Sequence, residues 1–313
     1  MLVAQAKGAG NKPDPTFKDR ATHIDKSHVP YFGKNAVVDT YVADGFLYSV
    51  DTISQDVVDI GPEVLNYQTD ATFSEDQLRG MAETMVVQFL GNKVELDKLS
   101  FSLGQKVGTY FFRWDDTSKQ LDDGSFPYIQ VGLSQNGDFL NFYNTLSFGH
   151  DKTAATSAKA YANIMLIGPF NQIYANGGAY WTGSGGWYTT NGGYYYYYPS
   201  GCSGTFCSKF YYAYQNTGGA GLISGNWWPA SNTNTKAAAF IPSTNATAVV
   251  NYQIVKNNGT YFFTQIDQNA YYNAWASIAA TAVSNGIRQV ALNNYGTATY
   301  NLVAWDEVWV YNP

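Results

Sequence analysis

Residues 248–266 read AVVNYQIVKNNGTYFFTQI. Apolar and polar residues alternate in the first part of this stretch, aromatic and β-branched residues fill the last part, and NNG lies between them. This pattern is typical of two short β-strands separated by a turn. Similar runs, bounded by Gly and Asn, recur at 162–167, 193–198, 209–214, 236–241, 287–292 and 301–311. Regularly spaced short strands of this kind favour a β-sandwich.

The half of the chain that contains these runs differs chemically from the other half. Residues 1–150 hold 12 Lys and Arg and 20 Asp and Glu, whereas residues 151–313 hold 6 and 4. The second half also contains 19 of the 26 Tyr and 7 of the 8 Trp. We therefore predict an extended N-terminal arm at 1–35, an α+β domain at 36–150, a linker at 151–160 and an all-β sandwich at 161–313.

A helix is predicted in the α+β domain, beginning after Ser74 and ending at Gly91. Ser74 and Gln77 have the spacing of a capping box, and Gly91 is a typical C-terminal residue. Strands are predicted at 37–42, 45–51, 108–114, 128–133 and 139–143, with an Asn136-Gly137 hairpin turn between the last two. One helix on a small antiparallel sheet is the expected fold. The apolar face of the helix comprises Leu78, Ala82, Met85, Val86, Phe89 and Leu90.

The hairpin Ile129-x-Val131-x-Leu133-Ser134-x-Asn136-Gly137-Asp138-x-Leu140, together with the helix, resembles the PepSY modules of secreted proteins and metallopeptidase propeptides. The resemblance implies inhibition or chaperoning of peptidases, or a surface role. A following metallopeptidase needs a His-Glu-x-x-His motif, but the chain has only His23, His28 and His150. A peptidase is therefore not expected in the second half.

The last third of the chain contains a series of motifs in a characteristic order. They are Asn226-Trp227-Trp228-Pro229, Ala239-Phe240-Ile241-Pro242, Val250-x-Tyr252-x-Ile254, Asn258-Gly259-Thr260, Gln289-Val290-x-Leu292 and Val303-Ala304-Trp305-Asp306. In these motifs the chain resembles the golvesin or xanthan-lyase C-terminal family. This resemblance implies a galactose-binding-like jelly-roll module of the kind attached to extracellular enzymes and surface proteins. Trp305 departs from the family, which tends to have a small residue there.

Aromatic residues flanked by Gly and Asn are the candidate contact residues. Trp and Tyr rings stack on sugar rings and also fill protein interfaces. Trp275, Trp305 and Trp309 are instead expected in the sandwich core. The predicted contact residues are Trp181, Trp187, Tyr188, Trp227, Trp228, Tyr271 and Tyr272.

Several features predict an exported protein at the cell surface. The Gly- and Ser-rich loop between Cys202 and Cys207 favours a disulfide over two free thiols, and Asn245 and Asn258 begin glycosylation sequons. No stretch is apolar over the roughly 20 residues that a spanning helix needs, so membrane insertion is not expected. The formal net charge of -6 argues against nucleic acid as a partner.

Catalysis is not expected, because the second half offers few reactive groups. Its only acids are Asp151, Asp267, Asp306 and Glu307, and it has no His. A carboxylate pair from Asp267 and Glu307 would suit a glycosidase, but a structural role at strand ends is favoured. No metal site and no cofactor are predicted.

Two non-catalytic functions fit these features. The chain is a subunit of a cell-surface filament or layer, with the arm at 1–35 docking on a neighbouring copy, or a module that binds a polysaccharide, or both. Exposed neutral aromatic surface serves both functions. A secreted monomeric glycan-binding protein, or a propeptide-like peptidase inhibitor, is the alternative.

Overall fold

The computed structural model describes two compact units, one lying mainly within residues 12–150 and the other mainly within 171–312. In three short segments, 171–174, 181–184 and 188–191, the backbone alone is described. The described ranges are 12–29, 36–70, 72–120, 126–150, 171–174, 181–184, 188–191, 209–218, 222–229, 231–298 and 300–312.

The first unit is an eight-stranded sheet with one α-helix against it. Its strands follow the order β1-β2-β3-β4-β8-β7-β6-β5, and every pair with a defined register is antiparallel. The sheet is larger than the small sheet predicted, because β1, β4 and β5 were not expected. The elements are β1 (Thr22–His28), β2 (Val37–Ala43), β3 (Phe46–Asp51), β4 (Val57–Pro62), α1 (Glu75–Leu90), β5 (Ser100–Lys106), β6 (Thr109–Asp115), β7 (Tyr128–Ser134) and β8 (Phe139–Asn144).

Helix α1 begins and ends as its sequence predicts. Gln77 N donates to Ser74 Oγ at 3.3 Å, and Ser74 N donates to Gln77 Oε1 at 2.9 Å, which completes the capping box. Gly91, at φ 62°, ends the helix. Leu78 and Val86 on its apolar face are buried in one core with the sheet. None of the helices in the described ranges has the length and apolarity needed to span a membrane.

The described residues of the predicted arm pack on the first unit. The ring of Phe17 is buried and stacks on Tyr48, with centroids 3.9 Å apart and planes 2° apart. Asp14 N donates to Tyr48 Oη at 2.9 Å, and Arg20 Nη2 bridges Asp14 and Asp44. Residues 14–20 therefore pack on the core of the first unit, although an extended arm was predicted here.

The second unit is a β-sandwich, as predicted. Its sheets have the strand orders β10-β13-β18-β15-β16, β17-β14-β20-β9 and β11-β12-β19. The strands are β9 (Asn171–Tyr174), β10 (Trp181–Ser184), β11 (Tyr188–Asn191), β12 (Lys209–Tyr214), β13 (Ser224–Trp227), β14 (Thr235–Ile241), β15 (Val249–Lys256), β16 (Tyr261–Asp267), β17 (Ala274–Val283), β18 (Ile287–Asn293), β19 (Leu302–Trp305) and β20 (Val308–Tyr311).

One apolar core joins the inner faces of these sheets. Tyr252 and Ile254 of the five-stranded sheet are buried in the same cluster as Ala239 and Ile278 of the four-stranded sheet. Short 3-10 turns complete the described structure in both units, and they lie at Phe17–Asp19, Gly91–Lys93, Leu96–Lys98, Leu146–His150 and Gln268–Ala270.

The strand predictions for this unit met mixed outcomes. The runs at 209–214, 236–241, 248–255, 260–266 and 287–292 form β12, β14, β15, β16 and β18 within a residue or two. The run at 301–311 is two strands, β19 and β20, separated by Asp306 and Glu307. Strands β9, β10, β11, β13 and β17 were not predicted, and the runs at 162–167 and 193–198 lie outside the described residues.

Candidate functional site

The outer face of the five-stranded sheet exposes two large aromatic rings at its edge. Tyr261 and Phe263 on β16 are each 59% exposed, and their rings meet edge to face at 5.6 Å. The cause is the period of two along a strand: Ile266 and Phe262 face the core, so Tyr261 and Phe263 face outward. Large apolar rings with this exposure are the kind of surface that binds a partner.

Most of the other outward residues on the neighbouring strands are amides, although the exposed Val249 at the start of β15 is apolar. Gln265 on β16, Asn251 on β15 and Asn293 on β18 are exposed, and Gln253 and Gln289 are half-buried. Half-buried Ala291 is a small residue among them. We call this surface the amide face; it comprises Asn251, Gln253, Tyr261, Phe263, Gln265, Gln289, Ala291 and Asn293.

The amide face carries almost no charge. Of the alternating outward positions on β15, β16 and β18, Asp267 alone carries a charged side chain, at the end of β16, and the exposed Arg288 lies at the bulge of β18 next to Gln289. Asp267 Oδ1 accepts a hydrogen bond from Asn269 N at 2.9 Å, which caps the 3-10 turn that follows. The face therefore offers apolar rings and neutral hydrogen-bonding groups, a combination that suits an uncharged polar ligand.

The strands beneath the amide face are held firmly. Strands β15 and β16 pair over seven residue pairs from Val249 and Asp267 to Val255 and Tyr261. The turn between them is closed by Lys256 N donating to Thr260 O at 2.8 Å, with Gly259 at φ 83°. Thr264 Oγ1 donates to Ile278 O of β17 at 2.7 Å, which ties the edge strand to the other sheet. Rigid elements of this kind hold binding groups in place.

Trp227, predicted as an exposed contact residue, is buried in the core, so that prediction is wrong. It is 1% exposed, and its ring lies 6.5 Å from that of Tyr252. The reason is that Ser224–Trp227 forms β13, in which Gly225 and Trp227 face inward and Ser224 and Asn226 outward.

The remaining predicted contact residues have diverse positions. Trp228, Tyr271 and Tyr272 are half-buried, and Tyr271 packs against the core. The backbone of Trp181 on β10 pairs with Trp227, and that of Tyr188 on β11 pairs with Tyr212. Trp187 lies outside the described residues.

The three tryptophans assigned to the core are buried, as predicted. Trp305 Nε1 donates to Leu292 O at 3.0 Å in the sandwich core. Trp275 and Trp309 form a second buried cluster with Phe240, in which their rings meet edge to face at 5.4 Å.

The proposed modification sites have unequal surroundings. Asn258 is exposed in the turn between β15 and β16, and its Oδ1 accepts hydrogen bonds from Thr260 N and Thr260 Oγ1. Asn245 is half-buried at φ 53°, and Thr247 Oγ1 accepts a hydrogen bond from Leu302 N. Glycosylation at these sites stays a prediction. Cys202 and Cys207 lie outside the described residues, so the predicted disulfide also stays a prediction.

Asp306 and Glu307 form a buried carboxyl pair between β19 and β20. They are 2% and 3% exposed, and their side chains hydrogen-bond to each other. Burial raises the pKa of Glu307 well above its usual range, and the Asp306 carboxylate raises it further. Glu307 therefore pairs with its chain neighbour, and Asp267 caps a turn. No group of three or more potential metal ligands occurs in the described part of the chain.

A buried polar network lies close to this pair. Gln268 Nε2 donates to Ala304 O at 2.9 Å and to Tyr252 Oη at 3.4 Å, and Ala304 N donates to Gln268 Oε1 at 2.9 Å. Burial raises the pKa of the Tyr252 hydroxyl, and the nearby Asp306 adds to the shift. These contacts join the Gln268 side chain to the Tyr252 hydroxyl and to the backbone of β19 in the interior, so they stabilise the sandwich.

No family model matches the chain, and no curated protein matches it. Among solved structures, the family 32 carbohydrate-binding module of C. perfringens NanJ, in complex with galactose, is 13% identical with a TM-score of 0.26, covering 45% of this chain and all of that one. Paenibacillus xanthan lyase is 11% identical with a TM-score of 0.36, and the match covers 92% of this chain but 36% of the lyase.

A third similar structure is the exo-β-1,3-galactanase of Phanerochaete chrysosporium with galactose, which is 12% identical with a TM-score of 0.31. The match covers 93% of this chain and 69% of the galactanase.

Proposed function

We propose that the second unit binds a neutral polysaccharide outside the cell and does not cleave it. The amide face carries this proposal, because it combines two strongly exposed aromatic rings with uncharged amides on a rigid sheet. We also propose that the sandwich has the jelly-roll topology, and that the protein has the cell-surface location, that the family resemblance implies.

The chemistry of the amide face fits sugars better than most other ligands. The C–H groups of a pyranose ring are apolar and pack on the flat ring of Tyr or Phe, as other apolar groups do. Sugar hydroxyls both donate and accept hydrogen bonds, and so does the amide of Asn or Gln. A neutral ligand gains little from charged residues, which agrees with their scarcity on this face.

The structural roles of three acidic residues in the second unit support a non-catalytic function. Asp267 caps a turn, and Asp306 and Glu307 are buried against each other rather than open to a ligand. A glycosidase needs two carboxyl groups on opposite sides of a bound sugar. None of these three acids has that setting.

Assembly into a filament or layer is the second candidate. The same exposed rings on the edge strand β16 favour it, because an uncovered apolar edge strand invites pairing with another copy. Docking of the predicted arm on a neighbouring copy is less favoured than before, because Asp14 and Phe17 of that segment contact the first unit of their own chain.

Two measurements on the purified protein decide between these candidates. We expect retention on at least one neutral polysaccharide in a panel of affinity gels, together with a monomeric mass by light scattering. Large assemblies that bind no polysaccharide would contradict glycan binding and favour the filament or layer.

A further inference from the structure

The strand register places four outward residues of the five-stranded sheet in one row. Asn226 on β13 is opposite Ala291 on β18, Ala291 is opposite Gln253 on β15, and Gln253 is opposite Phe263 on β16. Neighbouring strands lie about 4.8 Å apart, so the row runs roughly 14 Å across the sheet. It leads from an exposed aromatic ring over two amides and one small residue.

The short side chain of Ala291 leaves a notch in this row. Its methyl group projects much less than the Gln253 amide on one side or the Asn226 amide on the other. Asn226 Oδ1 accepts a hydrogen bond from Gln289 Nε2 at 2.8 Å, so the far wall of this notch is held in place. A ring lying in the notch would meet amide groups on both sides.

The spacing of the row matches one kind of glycan. In a fully extended β-linked chain each sugar adds a length close to the distance between two strands. Such a ribbon stays flat over several sugars, whereas an α-linked glucan curls into a helix and leaves a flat surface after one or two. A ligand that crosses the strands can therefore place one sugar over each of them.

We propose that the amide face binds an extended, β-linked neutral glycan that lies across the strands, with one sugar stacked on Phe263 and another in the notch at Ala291. This inference rests on the proposed polysaccharide binding and adds the linkage class and the direction of the chain. The row spans four of the five strands of the sheet, from β16 to β13. About four sugars therefore make contact.

The test uses cello-, xylo- and manno-oligosaccharides of two to six sugars, with maltohexaose as the α-linked control, in calorimetric titrations with the full chain. For the β-linked series that binds, we expect affinity to rise at least tenfold from two sugars to four and then to change less than twofold. Maltohexaose should bind at least tenfold more weakly than the β-linked hexamer.

Two variants test the notch directly. Ala291→Gln fills it and should weaken tetrasaccharide binding at least tenfold, while the matched substitution Ala280→Gln, at an exposed position of β17 in the four-stranded sheet, should change it less than threefold. Ala291 faces outward, and an unchanged melting temperature shows that the Ala291→Gln variant is folded. Gln253→Ala removes one wall of the notch without adding a larger side chain, and it should also weaken tetrasaccharide binding.

The outcomes separate this inference from the broader proposal. Failure of every neutral glycan to bind overturns both. Binding that depends on Phe263 but is unaffected by Ala291→Gln and Gln253→Ala, or that keeps strengthening beyond four sugars, overturns the orientation alone. Equal affinity for maltohexaose overturns the linkage class.

Discussion

Phe17 shows how a single apolar residue decides where a polar segment lies. The stretch from residue 12 to 20 is rich in charge and proline, and the sequence suggests no core for it. Burying one aromatic ring nevertheless gains several kilocalories per mole of hydrophobic free energy, enough to hold a short segment in place. Phe17 and Tyr48 are far apart in the sequence, so the pattern of apolar residues along the chain does not predict their contact. That is why the segment was expected to be an arm.

Replacing Phe17 by Ala should destabilise the first unit by about 3–5 kcal/mol, because it removes a buried ring and leaves a cavity against Tyr48. Urea denaturation gives the free energy of unfolding. The control Ile24→Ala truncates a side chain that is already exposed on β1 and should cost less than 1 kcal/mol. A loss below 1 kcal/mol for Phe17→Ala would show that the segment does not depend on this contact.

Asp59 on β4 predicts a pH dependence of stability. Burial raises its pKa to about 7, whereas its ordinary value is 3.8. The folded state therefore holds a proton that the unfolded state releases, so this residue lowers stability progressively as pH rises from about 4 to about 7. Asp59→Asn should abolish this loss and raise the melting temperature more at pH 8 than at pH 4. The exposed Asp19, changed to Asn, serves as control, and equal effects of Asp59→Asn at both pH values would contradict the account.

At the scale of elements, the sequence predicted those whose signal is local. The capping residues at its ends specify helix α1, and Gly137, at φ 81°, specifies the turn at Asn136-Gly137. Both signals come from residues that are close together in the sequence. Strand β17 was missed because AWASIAATAV is rich in Ala, which favours helices in isolation. Its small side chains fit because the opposite sheet lies close to it, which is a property of the tertiary structure. Tyr261 and Phe263 were within reach of the sequence, since alternation along β16 already assigns them to the outer face.

The close packing of β17 can be tested by overfilling it. Ala276 is fully buried in the sandwich core, so Ala276→Leu should force neighbouring side chains apart and cost about 1–3 kcal/mol. Ala280, four residues on along the same strand, is exposed, and Ala280→Leu should be nearly neutral. Chemical denaturation of both variants measures the difference. Equal effects would mean that β17 does not pack with Ala276 inward.

For the molecule as a whole, the uneven distribution of charge now has a structural counterpart. The first unit has a conventional core beneath a surface that carries most of the charge, whereas the second presents a neutral sheet with aromatic rings at its edge. The low charge of the second half was visible in the sequence, whereas the strand register that brings the amides of three strands beside the two rings was not. Trp227, which was predicted as a contact residue, is buried in the core instead.

The most direct test of the central claim removes the exposed rings of the amide face and measures glycan binding. In affinity electrophoresis on the polysaccharide that retains the wild-type chain, the double variant Tyr261→Ala with Phe263→Ala should lose at least 90% of the retardation through loss of ring stacking. Tyr300→Ala removes a ring that is 89% exposed elsewhere and should bind as the wild type does. Unchanged retardation of the double variant, with Tyr300→Ala as control, would show that the glycan does not bind to the amide face.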